Sequence, residues 1–393
     1  QSLVSLGYTK KKNNTTLFAS VFYNKLEGAY DYDTNFFREE YGFGDGGSKN
    51  LFLNSDFYGI ITNFSSKSQY LNIDFGVSAN SYTRKHRYSA LETNRGFKNE
   101  VSSFLKTEFK YSKFRLFLDG QIRYANFTYN GDMELPNKVE WNFFNPKGGV
   151  SYSPSSISSI YYSVGLSHRE PTRTNLFNGS DNLNSDYGFT NVKPERVIDH
   201  ELGYKFFGDK LTSQVNLFYM DFTDEISLLG GTTGNGTLIA GSVDKSYRRG
   251  VELDFKYQFS DRLYTTYNEA YTDTKATYNG EEFNQILTPK TIRNIVLGYN
   301  NSGITVEGVY RHQSDSFIDI SNENSIDKFD TFNVNIGYSQ KNYSINLNIV
   351  NVTNQKYFTN GSMVTRDFST STTDRYLFVN APTSLFLTFK YIL

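Results

Sequence analysis

Apolar residues recur at every second position along most of this chain, the spacing at which side chains fall on opposite faces of a β-strand. From Phe114 the even positions read Phe114, Leu116, Leu118, Ile122 and Tyr124, while the odd ones read Arg115, Phe117, Asp119, Gln121 and Arg123. Val251, Leu253, Phe255, Tyr257 and Phe259 alternate with Glu252, Asp254, Lys256 and Gln258 in the same way. Phe332, Val334, Ile336 and Tyr338 alternate with Asn333, Asn335, Gly337 and Ser339. One face of each run is greasy and the other largely wet. No stretch approaches the ~18 uninterrupted apolar residues of a membrane-spanning helix, which excludes a helical membrane protein. Insertion by strands stays open, because there polar residues dilute the apolar ones two-fold.

About 17 such runs are legible, near 1–9, 15–24, 50–63, 69–83, 99–111, 114–128, 146–153, 159–169, 196–207, 211–223, 246–259, 262–275, 291–300, 303–313, 329–339, 342–352 and 382–392. Most reach the ~9 to 11 residues that cross a bilayer at a tilt, longer than the ~5 or 6 usual in a soluble sandwich. Their connections alternate too. Short polar turns such as Lys11 to Asn14, Gly208-Asp209 and Ser260-Asp261 follow the odd-numbered runs, and long segments follow the even ones: 25–49, 84–98, 129–144, 170–195, 224–245, 276–290, 314–328 and 353–381. Short turns on one side and long loops on the other are the pattern of a bacterial outer-membrane barrel. The fold class expected is therefore all-β, a transmembrane antiparallel β-barrel of outer-membrane type.

Composition agrees. Phe 34, Tyr 31 and Trp 1 in 393 residues are far too many aromatics for a disordered chain. Cys 0 removes disulfide frameworks, thiolate metal sites and cysteine nucleophiles together. A net charge of -1 argues against a nucleic-acid partner held by bulk electrostatics. The histidines, His86, His168, His200 and His312, fall in no nucleophile or metal-protease spacing, so no enzyme is expected and no cofactor is implied. The chain opens at Gln1 inside a strand-like run, and bacterial single-chain barrels close with an even number of strands. An ascending strand is therefore expected upstream, the whole of 1–393 being the C-terminal part of a larger barrel.

From Asn145 the text runs Asn145-Pro146-Lys147-Gly148-Gly149-Val150-Ser151-Tyr152, then Ile160-Tyr161-Tyr162-Ser163-Val164-Gly165, then His168-Arg169-Glu170-Pro171-Thr172 up to Leu176-Phe177. Val192-Lys193-Pro194-Glu195-Arg196 with His200-Glu201-Leu202-Gly203, Arg249-Gly250-Val251-Glu252-Leu253, Leu287-Thr288-Pro289 and Asn351-Val352-Thr353-Asn354-Gln355-Lys356-Tyr357 follow in order. This series resembles TonB-dependent outer-membrane receptors, and the text around His168 to Arg173 is similar in flavour to Bacteroidetes members. The resemblance implies a barrel of about 22 strands around a plug, of which this chain would supply the last three quarters without the plug. It further implies a Gram-negative outer membrane, lipid around the wall, an iron complex as cargo and coupling to the TonB complex through a plug domain not present in this chain. The terminal strand ends in Leu393 where the family usually has Phe. Other cargoes on the same scaffold (haem, cobalamin, oligosaccharide, peptide) and a plugless structural or secretion-complex barrel stay open.

In such a barrel, parity sorts side chains into lipid-facing and lumen-facing sets. Arg84, His86, Arg123, Arg169, Arg248 and Arg311 share parity with polar faces and lie toward the loop-side ends, where a cargo arrives. The planar guanidinium fork matches carboxylate, catecholate and phosphate oxygens, so these residues are candidate ligands for an anionic ferric chelate. Pairing with lumen carboxylates or with the plug is the competing role. Loop aromatics form a second candidate group: Tyr30, Tyr32, Phe36, Phe37 and Tyr41 with Arg38, then Trp141 and Phe143, then Tyr187. His168, His200 and His312 share parity with Leu166, Leu202 and Tyr310, which places them in an interfacial belt and ranks haem below a siderophore. Asp181, Asn184 and Asp186 read as a solvated loop.

Overall fold

A computed structural model describes residues 1–33, 48–88, 91–130, 137–177, 192–232, 238–367 and 372–392. Among them no helix is long and apolar enough to cross a membrane. The strands fall into two compact units, residues 1–149 with 165–194 and residues 150–164 with 195–393.

The first unit holds β1 (Ser2–Lys12), β2 (Thr15–Asp33), β3 (Ser48–Lys67), β4 (Leu71–Tyr88), β5 (Leu91–Tyr111) and β6 (Phe114–Asn130). They pair antiparallel in chain order, from Ser2↔Lys25 in the first hairpin to Tyr111↔Phe114 in the last. Its tight turns place Asn13 and Ser112 at positive φ, the conformation that two-residue hairpin turns demand. Two further strands, β7 (Asn137–Ser155) and β8 (Ser158–Arg169), run through both units, and a one-turn helix α1 (Arg173–Leu176) follows. Thr172 caps α1 and shares a reciprocal capping box with Asn175.

The second unit continues with β9 (Glu195–Phe207), β10 (Leu211–Thr223), β11 (Ile226–Thr232), β12 (Leu238–Ser242), β13 (Lys245–Gln258), β14 (Leu263–Tyr278), β15 (Glu281–Phe283) and β16 (Thr291–Asn301). Then come β17 (Ile304–Gln313), β18 (Ser316–Phe317), β19 (Ser325–Ile326), β20 (Phe329–Ser339), β21 (Tyr343–Val350), β22 (Phe358–Asp367), β23 (Thr372–Val379) and β24 (Ser384–Tyr391). The ladder β9-β10-β13-β14-β16-β17-β20-β21-β24 is antiparallel throughout. Small hairpins β11/β12, β18/β19 and β22/β23 lie within the long connections.

Each expected run has its strand. The strand ends differ: β4 and β5 pair out to Tyr88↔Leu91, and β7 begins at Asn137, so much of the expected loops 84–98 and 129–144 is strand. The reason is physical. A ladder is held by backbone hydrogen bonds and needs no lipid-facing apolar row, so it continues through the wet ends of β4 and β5 and, in β7, through Val139, Trp141 and Phe143, whose apolar groups lie on the other face.

Alternation sorts the two faces as expected. In the first unit Leu17, Val21, Ile60, Phe64, Phe75, Leu105, Leu118 and Ile122 are exposed large apolar residues of one face; in the second Leu202, Leu217, Leu297, Val306, Phe332 and Ile336 are. The opposite face carries a polar network. Tyr161 Oη donates to Asn216 Oδ1 at 3.1 Å, Asn216 Nδ2 to Glu252 Oε2 at 3.2 Å, and Tyr264 Oη to Glu307 Oε1 at 2.5 Å. Glycine makes room for the flat-lying rings: a Cβ on Gly203 would meet Tyr161, and one on Gly298 would meet Tyr264, each at 2.2 Å.

Candidate functional site

The polar face of the first unit is organised around Arg123. Its Nη1 lies 3.3 Å from Glu100 Oε2 and 3.4 Å from Glu170 Oε1, and its Nη2 donates to Glu170 Oε2. Lys98 Nζ donates to the same Glu170 at 2.6 Å. The Arg123 guanidinium also covers the Phe143 ring at 5.0 Å, whose plane stacks on His168 at 5.4 Å. Burial pushes the Glu170 carboxyl up, but Lys98, its own backbone N–H and Arg123 outweigh that and hold it below its ordinary value.

Glu170 begins a segment that turns back against β6 and β7. Leu176 and Phe177 are buried with Ala125, Phe127, Tyr129, Trp141 and Phe143. Tyr129 packs on Phe177 at 4.6 Å, and the Arg173 guanidinium stands 5.7 Å from both rings. Trp141 and Phe143, expected in a capture loop, therefore sit on a strand inside a packed cluster. Their local pattern is reversed: Val139, Trp141 and Phe143 put apolar groups on the otherwise polar face because the 170–177 segment covers them there.

Alternation also slips at the end of β8. Asn145 Oδ1 accepts the His168 backbone N–H at 3.1 Å and lies 2.9 Å from His168 Nδ1. His168 and Glu170 both turn to the Arg123 side, so His168 does not join an interfacial belt, and Arg169 is exposed without sharing Arg123's face. His200 and His312 do lie on the apolar face, beside Tyr162 at 2.9 Å and Asp330 at 2.8 Å.

In the second unit Arg248 is a brace for a buried acid. Glu225 is only 2% exposed and accepts from Arg248 Nη2, from Ser246 Oγ and, at 2.5 Å, from Gln285 Nε2. Arg248 Nη2 also donates to Gln285 Oε1 at 2.9 Å, and its guanidinium lies 4.9 Å over Phe222. A satisfied charge of this kind holds the loop base together.

Arg84 and Arg311 differ from these in having no carboxylate contact among the described residues, although Arg248 shares with Arg84 a buried Nε without a hydrogen-bond partner. Arg84 lies on the polar face of β4 with a buried Nε that has no hydrogen-bond partner among the described residues. Arg311 is exposed on the polar face of β17, and Nη2 reaches Gln313 Oε1 at 3.4 Å. His86, on the same face as Arg84, and Arg169 each make a contact within the chain. Tyr30 and Tyr32 belong to β2 rather than to a loop, with side chains outside the described residues, and Phe36, Phe37, Arg38, Tyr41 and Tyr187 lie outside them altogether, as do Asp181, Asn184 and Asp186. The partners that alternation could not foresee are Glu170 and Glu225, which stand outside the regular runs.

The chain matches the family model described as TonB dependent receptor-like, beta-barrel, over residues 1–352. No curated protein sequence matches it. Among solved structures it is similar to the copper transporter OprC, with a TM-score of 0.82 at 14% identity over 99% of this chain and 64% of that one. It is also similar to the unliganded ferric citrate transporter FecA, with a TM-score of 0.75 at 16% identity over 99% and 61%. The siderophore receptor PiuA from Acinetobacter baumannii gives 0.72 at 15% identity over 99% and 64%. The chain thus spans less than two thirds of the length of these structures.

Proposed function

The chain belongs to the TonB-dependent receptor β-barrel family, and from that premise we propose that it forms the cargo-binding wall of a receptor importing a ferric siderophore or a similar iron complex. The family consists of outer-membrane receptors and transporters of Gram-negative bacteria rather than enzymes, and its wall is a transmembrane antiparallel β-barrel. The observation that carries the cargo class is the state of Arg84 in the first unit and, taken by itself, of Arg311 in the second. Among the described residues neither has a carboxylate partner, whereas Arg123 and Arg248 are neutralised by Glu170, Glu100 and Glu225. A guanidinium on a lumen wall without a carboxylate attracts an anionic chelate and can offer it paired N–H donors. The ferric citrate transporter and the siderophore receptor among the similar structures favour the same class. In this reading the lumen wall and loops hold the complex, and energy delivered through a plug domain and the TonB complex releases it.

Equilibrium binding of ferric citrate and of a ferric catecholate to the full receptor tests this. Arg84→Gln and Arg311→Gln are expected to weaken one of the two chelates about ten-fold each, the value of a charge-assisted contact, without lowering Tm. Wild-type affinity for both chelates in both variants would sink the iron-complex reading.

A further inference from the structure

The apolar face of the second unit is not a smooth wall. Ser213 and Val215 of β10, Leu253 and Phe255 of β13, Thr265 and Tyr267 of β14 and Ile295 of β16 border a groove of about 450 Å³. Register explains the depression. Ser213, Phe255, Tyr267 and Ile295 form one cross-strand row, so a small residue stands at one end and two rings stand in the middle. Thr265, one step toward the turns, is the second small residue, and its hydroxyl donates back to Val296 O at 2.9 Å, which leaves its methyl group for the groove. Nearly everything the groove presents is hydrocarbon. In a receptor that crosses the outer membrane on this face, hydrocarbon is also what bathes it.

The groove's position along the strands decides which leaflet fills it. Ser213 and Thr265 each stand two residues above the first residues of their strands, Leu211 and Leu263, beside the short turns. Short turns face the periplasm in barrels of this type. Below the groove Tyr257 packs edge-on against Phe259 at 5.0 Å, an aromatic pair at the level where a headgroup region begins. The turns beneath carry both signs of charge, Asp209 and Lys210 in one and Asp261 and Arg262 in the next, all exposed. Lys210 O accepts from Gln258 N and Arg262 O from Asn300 N, each at 2.8 Å, which fixes these turns beside the strand ends that wall the groove.

We propose that this groove is a binding site for one acyl chain of a periplasmic-leaflet aminophospholipid. The tail occupies the space between Val215, Phe255 and Tyr267. The phosphate meets Lys210 and Arg262, and the ammonium meets Asp209 and Asp261. Alternating charges complement a zwitterionic phosphoethanolamine headgroup better than a purely anionic one, which would face the two aspartates without compensation. The site rests on the membrane-crossing face of the family and is independent of the cargo.

The test uses the full receptor in nanodiscs doped with phosphatidylethanolamine carrying a diazirine on its acyl chain, with phosphatidylglycerol of the same tail as a second probe. Adducts mapped by mass spectrometry are expected to concentrate on Val215, Leu253, Phe255 and Tyr267. Val215→Trp, which fills the groove, is expected to lower those adducts about ten-fold while labelling at Leu297 on the same face persists. Lys210→Gln with Arg262→Gln should lower phosphatidylethanolamine adducts about two- to three-fold, the size of an exposed ionic contact. Even labelling along Leu202, Leu297 and Phe332, or equal labelling by both lipids, would overturn the proposal. Should Val215→Trp also lose labelling at Leu297 and so fail to insert, the milder Ser213→Leu carries the same comparison.

Discussion

Arg123 and Glu170, 47 positions apart, are joined on the polar face of the first unit by a two-point ion pair that also engages Lys98 and Glu100. The pair joins the segment after β8 to the wall built by β5, β6 and β7. It converts a candidate cargo ligand into a structural tie, and it accounts for the burial of the neighbouring Phe177 and Trp141.

Removing either partner weakens the tie without stripping the other of every counter-charge, because Lys98 stays 2.6 Å from Glu170 and Glu100 3.3 Å from Arg123. Arg123→Gln is expected to lower stability by about 1 to 3 kcal/mol, measured by urea unfolding in detergent micelles, less than the loss for a buried charge left wholly unpaired. Glu170→Gln removes the carboxylate that both Arg123 and Lys98 contact, so its effect should be the larger of the two. A larger loss for Arg123→Gln would show that Lys98 does not hold Glu170 once the guanidinium is gone.

The same carboxylate sets a pH dependence. Its folded-state value lies below the ordinary one, so its contribution is complete above the ordinary carboxylate range and disappears as pH falls through the lower folded value. The Tm difference between wild type and Glu170→Gln should accordingly be constant near neutrality and shrink in acid. A difference that grows on acidification would reverse the sign of the linkage.

How far the sequence reached can be judged from these residues. The alternation of Val251 to Tyr257 marks a wall that separates hydrocarbon from water, and that physical demand acts on every second residue, so it is readable locally. Arg123 was likewise placed on the polar face by parity alone. Its partner was not foreseen, because Glu170 reaches it only through the return of a segment outside any repeating pattern. Trp141 was misplaced for the same reason: once Leu176 and Phe177 cover the polar face, apolar residues there obey a local core and no longer the bilayer. Glu225, buried between Arg248, Ser246 and Gln285, joins residues from distant parts of the chain that no spacing rule connects.

Face assignment is tested at adjacent positions of β13. Leu253 lies on the apolar face, and a lipid-facing arginine near the middle of the bilayer costs about 2 to 4 kcal/mol. Leu253→Arg should therefore impair insertion measurably in a bilayer refolding assay, whereas Asp254→Leu, on the lumen side, should be tolerated. The opposite ranking would mean the faces are exchanged.

Gly298 tests the packing of the lumen wall. A methyl group there would stand 2.2 Å from the Tyr264 ring, which is held in place by its hydroxyl on Glu307 at 2.5 Å. The ring cannot withdraw without losing that hydrogen bond, so the strain and the lost contact add. Gly298→Ala is expected to cost about 1 to 3 kcal/mol, the usual penalty for overpacking. Combining it with Tyr264→Ala should recover part of the loss, because the smaller side chain vacates the space the new methyl group needs. Unfolding midpoints of the two single variants and the double variant decide the matter: strictly additive losses would show that Gly298 is not there to admit the ring.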